Sequence, residues 1–298
     1  KILKISLRTM IDLTSYAAAL LFFGTNLLRV IQRAERLANH ESMFQERPHY
    51  DLDPTYIQEQ WVKRADGGTL IFVAGFLNTL AWLFLCVPIV QVGWILSKRG
   101  THKIASHFLL MALAVVGTVV EVIARLMMAG LRGSTVWLSE KFNLANWTAQ
   151  DSNDGIGWRV LEMIHVATDG LAMWVDAFEW IALTGVLTII FFSTRSQWKD
   201  QTNLTPSFGL KWSRFGFFIG FLCFFDFLAN ILRIVEFRRF NRIALGITIV
   251  NMLIFFPVWL IIMGMQLHSN KIQEYTKQSM ENSEVVEEGI EVEAEDGY

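Results

Sequence analysis

Charge is scarce in this chain: Asp, Glu, Lys and Arg make up 18% of 298 residues, and the two signs nearly cancel at a formal net charge of −2. So even a balance supplies no basic field for a phosphate backbone, and nucleic acid is excluded as a partner. Cysteine is limited to Cys86 and Cys223, both inside apolar runs, which excludes a disulfide framework in the loops. Proline is equally sparse, with five residues, and Pro88 and Pro257 are the ones that fall within long apolar runs. A nucleophile elbow, a phosphate loop, a dinucleotide fingerprint and an HExxH sequence are all missing, so neither an enzymatic activity nor a cofactor is expected.

What the chain has in quantity is apolar surface, 53% hydrophobic residues at a mean hydropathy of +0.36. These residues gather into six runs, 13–34, 69–96, 104–131, 158–193, 215–236 and 243–267. Each approaches or exceeds the ~20 helical residues that cross a hydrocarbon core of about 30 Å. Backbone groups in lipid need partners within their own segment, so runs of this length predict helices. The expected fold is an all-α, polytopic membrane bundle of six helices spanning 1–268, with an outer-side segment at 35–68 and a long, protruding fourth helix. From 269 to 298 the composition turns acidic, in "NSEVVEEGIEVEAEDGY", and a disordered tail is expected.

The connections give an orientation. "SKRGTHK" (97–103) and the basic, Trp-containing stretch 194–214 have the character of cytoplasmic loops, although Lys and Arg divide almost evenly between the two sides. Asn146-Trp147-Thr148 is a glycosylation acceptor sequence, whereas the competing one at Asn203 is followed closely by Pro206. Both termini are therefore assigned to the cytoplasm. The glycines of "GLRG" (130–133) are read as a helix end.

Polar residues are not spread evenly along these helices. The fourth run carries Glu162, His165, Asp169, Asp176 and Glu179 at intervals that share one helical face. Counting depth from the loops places Asn26 and Arg29, Asn78, Glu121 and Arg125, Asp226, Asn230 and Arg233, and Asn251 in the same outer half. "NLLRVIQR" (26–33) also echoes "NILRIVEF" (230–237), which sets Asn26 level with Asn230 and Arg29 level with Arg233. An unpaired charge at mid-membrane costs about 2.5–3.5 kcal/mol, so the three arginines and the carboxylates at 121, 169, 176, 179 and 226 are expected to face one another.

These residues define the candidate site. Asp176, Glu179, Asp226, Glu121 and Asp169 would line an outward-facing pocket, with Asn26, Asn78, Asn230 and Asn251 as neutral ligands. Arg29, Arg125 and Arg233 would be counterions. Glu162, His165 and Asp169 form the one metal-like grouping. A bundle metal site needs a second Glu-x-x-His from another membrane helix, and because none exists no metal is expected.

"ILRIVEF" (231–237) resembles the arginine-x-x-glutamate segment of fungal lipid-translocating exporter-like proteins over those residues alone, and no residue role is carried across. The expected function is movement or sensing of a cation, a proton or a small polar solute. The alternatives are a structural or partner-binding subunit whose ion pairs only hold the bundle together, and a receptor with an outward-facing ligand pocket. Expected partners are the lipid bilayer, that solute, and a protein meeting the acidic tail or segment 35–68.

Overall fold

The computed structural model describes residues 13–28, 30–31, 68–97, 104–141, 156–199, 208–234 and 246–269, and these are 97% helical with no strand. We number the helices α1 (Leu13–Leu28), α2 (Gly68–Ser97), α3 (Ile104–Lys141), α4 (Ile156–Lys199), α5 (Leu210–Ile234) and α6 (Gly246–Leu267). Five of them, α2 to α6, contain stretches long and apolar enough to cross a membrane, and α1 is a shorter apolar helix over its described length. The chain is a multi-pass helical membrane protein. Segment 35–67, the Asn146 acceptor and the tail from 270 onward lie outside the described residues.

Two helices outrun a bilayer. At 1.5 Å per residue α3 is about 57 Å long and α4 about 66 Å, against a hydrocarbon core of about 30 Å. The expectation of a helix end at 130–133 is corrected here, because α3 continues through Gly130 and Gly133 to Lys141. A single glycine costs a helix only about 1 kcal/mol, which residues on either side readily offset. We call outer the end of the bundle at which α2, α4 and α6 begin; toward that end Glu179 lies within the apolar stretch Ala177–Lys199, and α4 continues beyond it through positions 162–176.

Consecutive helices pack side by side, α2 on α3, α3 on α4, α4 on α5 and α5 on α6, and α2 also touches α4. The first helix closes the circle. Phe22 of α1 sets its ring against Trp82 of α2 at 5.5 Å and against Phe256 of α6 at 5.1 Å. Lower down, the Ser15 hydroxyl donates to the Leu260 carbonyl at 2.6 Å. Large apolar side chains such as Phe108, Val119, Phe221 and Phe225 are exposed on the outside, as lipid-facing positions are, while the interior combines large rings such as Phe22 and Trp259 with small and polar groups.

Glycines let two of these interfaces close. A Cβ at Gly216 would come within 2.6 Å of Trp259 Nε1, and one at Gly264 within 2.8 Å of the Tyr16 ring. Trp259 cannot yield, because it is fully buried and stacked on both Trp212 and Phe256. Gly216→Ala is therefore expected to destabilise the bundle by about 1–3 kcal/mol. Gly75→Ala, where nothing lies within 4 Å, should be neutral or slightly stabilising. Thermal unfolding of the two variants in detergent checks the contrast.

The prolines act differently. α2 stays helical across Pro88. In α6 the residues Asn251–Phe255 form a π turn immediately before Pro257, and the Phe256 N–H donates five residues back to the Asn251 carbonyl. Widening the turn is one way to relieve the clash between a proline ring and the preceding carbonyls. It also releases the Met252 carbonyl, since Phe256 N–H is taken by Asn251 and the next residue, Pro257, has no N–H to give.

Candidate functional site

Each helix buries a stripe at spacings of three and four residues, and the candidate polar residues sit on those stripes. On α3 the stripe includes His107, Leu110, Ala114, Thr118, Glu121 and Ala124. On α5 it includes Trp212, Ile219, Cys223 and Asp226. Asn78 bonds Glu121 across α2 and α3, the rungs of Asp226 and Asn251 adjoin across α5 and α6, and all four residues lie toward the outer ends of their helices. The outer half of the interior is thus a polar layer in two parts.

The first part joins α2 to α3. Asn78 Nδ2 donates to Glu121 Oε1 at 2.8 Å, and Arg125 Nε, one turn further along α3, donates to the same oxygen. Glu121 is 0% exposed while Arg125 is 22% exposed, so the cation lies at the outer margin of a buried carboxylate. Glu121 Oε2 finds no donor. Glu121 and Arg125 thus form an ion pair between described residues.

The second part joins α5 to α6 and has no basic side chain within the described set. Thr248 Oγ1 donates to Asp226 Oδ1 at 2.8 Å, and Asn251 Nδ2 donates to Cys223 Sγ at 3.4 Å. Because both pairs are three residues apart on antiparallel helices, the two bonds form adjacent rungs of one interface. Asp226 is 2% exposed and Asn251 0%, yet Asp226 Oδ2 and Asn251 Oδ1 are both left without a hydrogen-bond partner. Cys223 lies within electrostatic reach of both Asp226 and Glu179, which brings the acid of α4 to this neighbourhood. From α1, Asn26 Nδ2 donates to its own helix at Phe22 O (2.7 Å) and, at 3.5 Å, to the Met252 carbonyl released by the π turn.

Beneath the layer lies an aromatic floor. Trp82, Phe22, Phe256, Trp259, Trp212 and Phe208 touch ring to ring in that order, crossing the bundle from α2 through α1 and α6 to α5. All six are buried. Trp212 and Trp259 stack at 5.0 Å, and the Trp212 indole N–H donates to the Trp259 carbonyl. Packed rings of this kind disfavour water and ions between α1, α2, α5 and α6. A cavity large enough for about one water lies between α2, α3 and α4, lined by Trp82, Cys86, Gly117, Thr118 and Ala182 among others, and no candidate acid borders it.

The remaining sequence candidates fall as follows. Asn230, half-buried, stands one turn outward of Asp226. The side chains of Glu162, His165, Asp169, Asp176, Arg29 and Arg233 lie outside the described residues, and with them the metal-like grouping and two of the three counterions. Thr248 and Cys223, which hold Asp226 and Asn251, are not among the sequence candidates, nor is the aromatic floor. A hydroxyl or thiol in an apolar run carries no signal without knowledge of which helix it faces. At the inner end, His107 Nε2 meets Ser193 Oγ at 3.2 Å, a second buried polar contact that depth counting assigned to no site.

Comparison with protein-family models, curated proteins and solved structures gives no match for this chain.

Proposed function

We propose that this membrane protein takes a cation, a proton or a small polar solute into the outer polar layer and moves it across the bilayer. One observation carries the reading: Glu121, Asp226 and Asn251 are each fully or nearly fully buried and each retains an acceptor oxygen without a donor. Buried acceptors left empty cost about 1–3 kcal/mol apiece, more when charged, and a resident staple has no reason to carry three. A ligand that brings donors or positive charge relieves that cost. In this reading Asp176, Glu179, Asp169 and Asn230 extend the lining toward the outer surface, Asn26 and Asn78 are neutral ligands, and Arg29, Arg125 and Arg233 balance charge. The aromatic floor is the inner gate, and the π turn before Pro257 is the backbone irregularity about which α6 rearranges to open it.

A second reading has its own support. Asn78, Glu121 and Arg125 form a set that ties α2 to α3, and buried ionic groups can specify packing without any ligand. The test is flux into proteoliposomes under imposed ion, pH and solute gradients. Transport above that of protein-free vesicles is expected, and no flux across the panel would leave the structural reading in its place.

A further inference from the structure

The two halves of the polar layer differ in what they lack. Glu121 already has a cation beside it in Arg125, whereas among the described residues the partner of Asp226 is a neutral hydroxyl. An ionised carboxylate held at 2% exposure by a hydroxyl alone is desolvated without a counter-charge. On the adjoining rung, Asn251 directs its amide N–H to sulfur and leaves its carbonyl oxygen empty. The same turn of α6 is π-helical and has freed the Met252 carbonyl, which is held only by a 3.5 Å contact from Asn26.

From this arrangement we infer that the α5–α6 interface is a binding site for a small monovalent metal cation of sodium type, with Asp226 Oδ2 and Asn251 Oδ1 as its anchoring ligands and the Thr248 hydroxyl oxygen beside them. The inference rests on the transport reading of the layer and names the ion that would occupy it. Charge sets the valence. The two rungs contribute one carboxylate, Asp226, and one monovalent cation neutralises it in a low-dielectric interior, whereas a divalent ion calls for further carboxylates at the rungs themselves. Acceptor count sets the chemistry. A proton bridges two oxygens, but the interface offers a carboxylate oxygen, an amide oxygen and a hydroxyl oxygen on adjoining rungs, a hard oxygen set suited to a metal cation. Irregular helix backbone with side-chain oxygens around it is a recurrent way to build alkali-cation sites in membrane helices.

The experiment is thermal unfolding of the full chain in detergent at fixed pH and ionic strength, titrating NaCl, LiCl or KCl against choline chloride. A saturable rise in unfolding temperature with sodium is expected, and the apparent affinity should weaken by about tenfold or more in Asp226→Asn and in Asn251→Ala, a loss near 1.4 kcal/mol. Ser97→Ala, at the inner end of α2, should leave the titration unchanged. Should either site variant fail to fold, Thr248→Val supplies the third test of the same interface. Identical curves for all four salts, stabilisation by calcium or by acid instead of sodium, or a sodium effect that survives in the site variants would each overturn the inference. Sodium binding without flux would count against transport alone, and flux indifferent to sodium against this site alone.

Discussion

Glu121→Leu is expected to lose about 3 kcal/mol of stability, the low end of the ~3–5 kcal/mol seen when one partner of a buried ionic pair is removed. Two donors lose their acceptor at once, Asn78 Nδ2 and Arg125 Nε. The low end applies because Arg125 is 22% exposed and recovers part of its solvation. Removing all three groups together, as Asn78→Leu, Glu121→Leu and Arg125→Leu, should restore most of the loss, since an apolar replacement of a whole buried set is often neutral or stabilising. Chemical or thermal unfolding of the single and triple variants measures the difference. A triple variant no more stable than Glu121→Leu would show that the set contributes more than mutual neutralisation.

Asp226→Asn is expected to behave in the opposite way, losing transport by about a hundredfold while unfolding within about 1 kcal/mol of the wild type. An asparagine oxygen can still accept the Thr248 hydroxyl, so the rung that joins α5 to α6 at this level survives. What disappears is the negative charge that draws a cation or proton into a site below the membrane surface. Initial rates of flux into proteoliposomes, set beside unfolding curves of the same preparations, separate the two quantities. Full transport in Asp226→Asn would remove this carboxylate from the proposed pathway.

The helices were legible in the sequence because a lipid-crossing segment has to be long, apolar and self-satisfied in its hydrogen bonds. Their ends were less so: α3 runs past Gly130 and Gly133, where the glycines suggested a stop. Within helices, spacing sufficed for Glu121 with Arg125, an i, i+4 pair. Between helices it did not. That Asn78 meets Glu121, or that Asp226 meets Thr248, depends on the rotation and register of two helices, which hydropathy does not encode. The floor was hidden for a related reason, since Phe22 and Phe256 are buried while Phe221 and Phe225 are exposed, and composition treats them alike. Pro257 is visible in the sequence, but that the turn before it widens at Asn251 is not.

Two buried carboxylates take different shares of the work: Glu121, beside its own cation, chiefly tethers α2 to α3 while its second oxygen lines the layer, and Asp226 is the ligand waiting for a cation. The most direct test pairs flux with unfolding temperature in Glu121→Leu and Asp226→Asn, prepared side by side. A crossed pattern is predicted, with the unfolding temperature lowered mainly in Glu121→Leu and flux abolished in Asp226→Asn at a near wild-type unfolding temperature. If both variants lose stability and flux in the same proportion, the acids are one structural network and the division of labour is wrong.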